Sequence, residues 1–329
     1  MYKALDLSRP EIRLLHIASS PEASPIEAST ALIFLPFAAV DRNGERATAH
    51  EQRVSTTNVC EPYEALSYEW GDPNSPRHTI LLDGQPFKVR KNLFRALECL
   101  RDTEVPGALW IDAICINQED LQERNHQVQM MSRIYRSAQG VRVWLGANVP
   151  YFYGLSRLVH GLHASERVQC KLRRTDRVGY PFIFHEDQTP DDSERTRRLW
   201  KHLSHVYKYF EGQEYPVASP RELIKAFVGL LARSFWSRVW IVQEYLLAQK
   251  VITFCGRNIM LDRDLEAAAR LCAREDINIE CILGIQGIRS DTKRSAAFRL
   301  ISMRHSRSAP TSTSLLELQH SPLGLPRLP

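Results

Sequence analysis

The sequence predicts an α/β protein with a parallel sheet covered by helices on both faces, and three observations predict it. Strand-like and helix-like segments alternate between residues 61 and 146, the order that builds parallel sheets. The strand-like segments are apolar throughout instead of alternating with polar residues, as burial on both faces requires. The chain has 329 residues with 43% hydrophobic and 25% charged content, enough for a sizeable core. In such sheets ligands bind beyond the carboxyl ends of the strands.

The elements follow in order. "EIRLLHI" (11–17) reads as a short strand, and the Ser/Pro/Glu/Ala-rich stretch 18–30 as loop. "ALIFLPFAAV" (31–40) reads as a strand interrupted at Pro36; its ten residues are too few to span a bilayer. Residues 41–58 are polar and turn-rich. "YEALSYEW" (63–70) is the first core strand. In "HTILLDGQPFKV" (78–89), Asp83-Gly84 between two β-type runs signals a hairpin. "KNLFRALECLR" (91–101) places Leu93, Leu97 and Leu100 at helical spacing, with Asn92 as its cap. "ALWIDAICI" is the second core strand, which puts the carboxylate of Asp112 in mid-strand, where an unpaired charge is expensive. The next segment is helical, with Asn117 and Asp120 at its start and Val128, Met131, Ile134 and Tyr135 on one face. "GVRVWLG" (140–146) is the third strand.

Residues 147–218 lose this rhythm and read as a long insertion. The basic clusters "KLRRTDR" (171–177) and "RTRRLWK" (195–201) fall there, either as a solvated surface or as a phosphate-binding patch. Ser219, Pro220 and Glu222 form a capping-box pattern before a helix with Leu223, Phe227, Leu230 and Leu231 on its buried face. "FWSRVWIVQEYLLA" and the strand "KVITFCG" (250–256) follow, then a helix in "LDRDLEAAARLCARE". The last twenty or so residues are expected to be disordered.

The formal net charge of +5 is mild for a nucleic-acid grip, so no nucleic-acid partner is expected. Seven cysteines, scattered and without a CxxC pair, suit a reducing compartment. The N-terminus lacks a secretory pattern, so a cytoplasmic protein without a membrane span is expected. "HGLH" (His160, His163) has no completing ligand, and no metal site is expected. Cys115, in an apolar run without an evident base, reads as core. No phosphate-cradling glycine loop of the GxxxxGK or GxGxxG kind is present.

Three blocks, "YEALSYEWGD", "LWIDAICINQEDLQERNHQVQMMSRIYRSAQGVRVWLG" and "RSFWSRVWIVQEYLLAQKVITFCG", together resemble the fungal heterokaryon-incompatibility (HET) domain. The resemblance covers about residues 61–256. It sets the expected organisation: an N-terminal strand and loop extension (1–60), the HET domain (61–256), a helical continuation (257–290) and a disordered or truncated tail (291–329). Family members usually continue with a segment rich in Asp, Pro and Arg that leads to YALLG-like residues. "TSTSLLELQHSPLGLPRLP" stands here instead, and the expectation is a truncated or mis-spliced product.

The resemblance implies allorecognition and incompatibility-triggered cell death. It also implies remote kinship with TIR domains, whose sheet is flavodoxin-like. "EALSYEW" is similar to the first TIR strand, which commonly ends in a Ser-Tyr pair, here Ser67-Tyr68. Trp240 and Glu244 match the TIR segment whose acid is catalytic in NAD-cleaving members. The implied activity is that of an NAD nucleosidase with NAD as substrate and no cofactor. The alternative is a non-catalytic assembly module. Self-association or other incompatibility proteins are the expected partners.

Each candidate residue carries two readings. Glu244 is the catalytic acid, or it caps a helix or pairs with Arg238. Trp240, one helical turn earlier, walls the pocket or anchors the core. Ser67, Tyr68, Glu69, Trp70 and Trp144, at strand ends, line a ribose- or phosphate-binding edge or simply pack. Asp112 is a structural acid paired with backbone or with Arg133, Arg136 or Arg238, or a second acid of the site. Asn117 and Gln118 cap the following helix and touch ligand amides.

Overall fold

The computed structural model describes residues 2–19, 24–35, 61–102, 107–147, 220–273 and 295–305. The chain divides into two units, Met1–Gly146 with Val242–Val251, and Ala147–Ile241 with Ile252–Pro329.

In the first unit the apolar runs become β1 (Glu11–Ile17), β2 (Glu27–Phe34), β3 (Tyr63–Tyr68), β4 (Arg77–Leu82) and β5 (Gln85–Arg90). Helix α1 (Lys91–Asp102), β6 (Ala108–Trp110), the single turn α2 (Asp112–Cys115), α3 (Leu121–Ser137) and β7 (Gly140–Trp144) follow. The strands hydrogen-bond in the order β5-β4-β2-β1-β6-β3-β7. At the centre β3 runs parallel to both β6 and β7, with Ala65 opposite Trp110 and Tyr68 opposite Trp144. The chain therefore leaves β3 to one side and returns on the other, which makes β3 a topological switch point.

The flanks are mixed. β1 pairs antiparallel with both β2 and β6, β2 pairs parallel with β4, and β4 pairs antiparallel with β5. The parallel arrangement read from sequence is that of the central strands, and the flanking pairs make the sheet mixed. The link between β1 and β2 is too short for the crossover that a parallel pair requires, so this pair turns back on itself. β2 begins at Glu27, inside the stretch read as loop. The Asp83-Gly84 hairpin is present, and both residues take positive φ, 50° and 74°, as a tight primed turn demands.

Burial follows the pattern of the apolar positions. Leu93, Leu97 and Leu100 of α1 are buried, as are Met131, Ile134 and Tyr135 of α3. Val128 is exposed, a correction to the face drawn from sequence. Tyr63 and Tyr135 stitch α3 to β3: Tyr63 donates to Ile134 O at 2.7 Å and Tyr135 to Leu66 O at 3.2 Å. Asp120 caps α3, accepting from the amides of Gln122 (2.9 Å) and Glu123 (3.0 Å).

In the second unit α4 (Pro220–Leu231) starts at the proline and buries Phe227, Leu230 and Leu231. Ser219, the side chain of Leu223, and residues 148–218 with their basic clusters and His160/His163 lie outside the described residues. A 3-10 turn (Ser234–Ser237) buries Phe235 and Trp236 edge to face, and the Trp236 indole donates to Leu230 O at 2.9 Å. β8 (Val251–Cys255), which enters this unit at Ile252, and β9 (Asn258–Leu261) form an antiparallel hairpin, followed by α5 (Asp262–Ala273).

A further helix, α6 (Ala296–His305), occupies part of the stretch read as tail. Ala297, Leu300 and Ile301 are buried, and Arg304 donates to Asp262 at 2.6 Å at the start of α5. Such a helix is stabilised by tertiary contacts that its own sequence does not announce. The final residues, 306–329, lie outside the described residues.

Candidate active site

Ser67 is the penultimate residue of β3 and shares the sheet face of Tyr63, the face that α3 covers. Its hydroxyl is buried and donates a short hydrogen bond to Oε2 of Glu244. Glu244 sits in a π-helical turn (Val242–Leu246) that packs against α3 and β7. The wide turn drives this acid inward, and such turns recur at functional sites. Ser67 and Glu244 are each 1% exposed. The acid is therefore adjacent to the end of the first core strand, as expected, but covered instead of open.

Trp240 belongs to the second unit and is half-buried, in a turn that precedes the π-helical one. The helix expected to place Trp240 and Glu244 on one face is absent, because the segment is built from separate short turns. Arg238 stacks over the ring of Phe235 at 5.5 Å.

At the carboxyl edge of β3, β6 and β7 the polar atoms are knitted together. Asn92 Nδ2 donates to Glu69 O at 2.5 Å, and Asn92 Oδ1 accepts from the Trp144 indole at 2.9 Å. Asn92 thus bridges the ends of β3 and β7 and does not cap α1, whose first residue is Lys91. Trp144 is buried and Trp70 half-buried. Tyr68, the last residue of β3, is 2% exposed, which favours its packing role.

Asp112 is not in mid-strand. β6 ends at Trp110, and Asp112 opens the turn α2, half-buried. Its Oδ2 accepts from the Trp70 indole at 2.8 Å, which ties the exit of β3 to the exit of β6. Arg133 donates to Leu35 O at 2.7 Å. Gln118 donates to Asp112 O at 2.9 Å, and Asn117 Oδ1 accepts from the Glu119 amide at 3.2 Å, so both amides serve the turn into α3.

Two groups escaped the sequence reading. Arg90, the last residue of β5, stacks over Trp70 at 5.1 Å and donates to Gly71 O at 3.1 Å. Gly71 takes φ +74°, the left-handed conformation that turns the chain off β3. Arg13, inside the apolar run of β1, is fully buried and grips Glu123 of α3. A charged residue within "EIRLLHI" was the available signal for it. Burial pushes the Cys115 thiol up to about 12, which leaves it a neutral core group. Among the described residues no cluster of three or more His, Cys, Asp or Glu is arranged to hold a metal, and no helix is long and apolar enough to cross a membrane.

The model of a family described as heterokaryon incompatibility protein (HET) matches residues 63–244, from the first residue of β3 to the buried acid itself. The chain is similar to heterokaryon incompatibility protein 6, OR allele, of Neurospora crassa, with 31% identity over 238 residues, 65% of this chain and 32% of that protein. The matched region thus spans about a third of the length of that relative. No solved structure matches.

Proposed function

Because the chain belongs to the heterokaryon incompatibility (HET) family, we propose that it acts in fungal allorecognition and cell death, and that Glu244 is the centre of an NAD-cleaving site. One observation carries the chemical part: a carboxylate fixed by Ser67 at the carboxyl end of the strand where the sheet reverses its order.

The chemistry asks little of the protein. The bond from the ribose anomeric carbon to the nicotinamide nitrogen breaks, and its electron pair stays on the nitrogen. Nicotinamide leaves neutral, so no strong general acid is required. Positive charge builds on the ribose carbon, as in glycoside cleavage. A preorganised carboxylate stabilises that oxocarbenium, and water then adds to the carbon and releases a proton. Ser67 acts here as a positioning residue, aiming the carboxylate. Glu69, Trp70 and Trp144 are the proposed substrate-binding residues, and Asp112 is a structural acid.

The 1% exposure of Glu244 favours a second reading, an assembly module in which Ser67 and Glu244 form an internal strut. Self-association or recruitment of other incompatibility proteins in the cytoplasm would then be the output. One experiment decides. Purified protein, clustered by a fused oligomeriser, is incubated with NAD and free nicotinamide is measured. Release that falls about 100-fold or more in Glu244→Gln supports the catalytic reading. No release from folded wild type leaves the assembly module, and equal release from both proteins clears Glu244 of the role.

A further inference from the structure

We propose that Arg90 is a phosphate-binding residue and that the ligand of the β3 edge is a nucleotide whose phosphate it grips. The proposal rests on the reading that the edge beside Ser67 and Glu244 is where a ligand binds.

Three other buried or half-buried arginines of the first unit form ion pairs, and Arg133 donates to Leu35 O. Arg13 pairs with Glu123, Arg142 with Glu64, and Arg101 with Asp102. Arg90 makes no ion pair among the described residues. A guanidinium has five N–H donors, and among the described residues Arg90 uses one of them, on Gly71 O. Its other contact is the face of Trp70. The ring itself is fixed, because Asp112 holds the indole N–H from the edge. The cation is therefore oriented in advance, with most of its donors and its charge unspent on the described residues.

Fastening the hairpin to the exit of β3 explains the single bond to Gly71. It does not explain why a permanent charge is held half-buried on an aromatic face, where a neutral side chain would fasten as well. A planar fork with unspent donors suits a phosphate group, which accepts two parallel N–H bonds. The surroundings agree. α1 begins at the next residue and has no acid in its first turn. Among the described residues a Cβ placed on Gly71 meets only Asn92 Cβ, at 3.8 Å, an ordinary van der Waals contact. Trp70 lies three residues beyond Ser67, about 10 Å of extended chain, a separation that one nucleotide bridges.

The test is binding, measured by calorimetry with ADP-ribose and with nicotinamide riboside, which has no phosphate. The proteins are wild type, Arg90→Gln and Arg90→Lys, each checked for folding by its melting curve. ADP-ribose should bind wild type, more weakly as salt rises, and about tenfold or more weaker to Arg90→Gln. Arg90→Lys should fall between them, and it supplies the comparison if the glutamine variant does not fold. Affinity for nicotinamide riboside should be the same in all three. Equal binding of ADP-ribose to wild type and both variants, or none to wild type, overturns the proposal. Its fate is separable from that of NAD cleavage. Arg90-dependent binding without nicotinamide release leaves this site and removes the hydrolase. Release with the same KM in wild type and Arg90→Gln does the reverse.

Discussion

Glu123 and Glu244 are both buried carboxylates of the first unit, 3% and 1% exposed, and the arginine that grips one differs in kind from the hydroxyl that meets the other. Glu123 takes both terminal nitrogens of Arg13, at 2.5 and 2.9 Å, and the amide of Asn117 at 2.6 Å. Arg13 also donates to Cys115 O at 3.0 Å and Lys3 O at 2.6 Å, and lies 4.7 Å from the ring of Tyr2. Such a fork fixes charge, angle and distance together. Glu244 accepts from the hydroxyl of Ser67, a neutral donor that rotates about one bond. The first arrangement fastens N-terminal β1 to α3. The second orients a carboxylate through a single hydroxyl.

The largest expected effect breaks the fastener. Arg13→Met should destabilise the protein by about 3–5 kcal/mol, because Glu123 is left buried without its cation. Urea denaturation reads this directly. The double variant Arg13→Met/Glu123→Leu should recover much of the loss, since an apolar pair replaces the ionic one. An unchanged urea midpoint for the single variant would show that β1 is not tied down by this pair. The family match starts only at Tyr63, so the result also tests whether the preceding strands are integral to the domain.

The same contrast shows what was legible in the sequence. The central strands, α1, α3 and the hairpin are local patterns, and each declares itself within a dozen residues. Asp112 drew attention as a charge within an apolar run, but the run conceals a strand ending at Trp110 and one helical turn, which periodicity cannot separate over so few residues. A charge fully buried in a strand is Arg13, and its partner lies 110 positions away. No local pattern reports a pairing at that range. Asn92 stands where a cap is expected, yet it serves Glu69 and Trp144. The pairing of Ser67 with Glu244 spans 177 positions; resemblance to a family pointed to both residues, while composition and spacing pointed to neither as a pair.

A middle-sized effect sharpens the second half of the comparison. Ser67→Ala removes one buried hydrogen bond and should lower stability by about 1–3 kcal/mol. If Ser67 aims Glu244, nicotinamide release should also lose kcat with KM little changed, the signature of an interaction made in the transition state. A lower melting temperature with unchanged kcat would make the pair a strut and join it to the Arg13–Glu123 class.

The smallest effect belongs to Asp112, which sits between the two cases. It is half-buried, and its carboxylate accepts from neutral donors, the Trp70 indole at 2.8 Å and the Ala113 amide at 2.7 Å. A hydrogen bond of this kind contributes about 0.5–1.5 kcal/mol net, somewhat more when one group is charged. Asp112→Ala should therefore lower stability by about 1–2 kcal/mol, well below the loss expected for Arg13→Met, and Asp112→Asn, which keeps an acceptor for Trp70, by less. A loss of several kcal/mol from Asp112→Ala would place this acid with Glu123 as a buried charge held by a cation. The alanine variant carries a second reading, because Trp70 loses its edge contact and Arg90 stacks on Trp70. Weaker ADP-ribose binding in Asp112→Ala, beside near-normal binding in Asp112→Asn, would tie the acid to the ligand edge through the indole and not through its own charge.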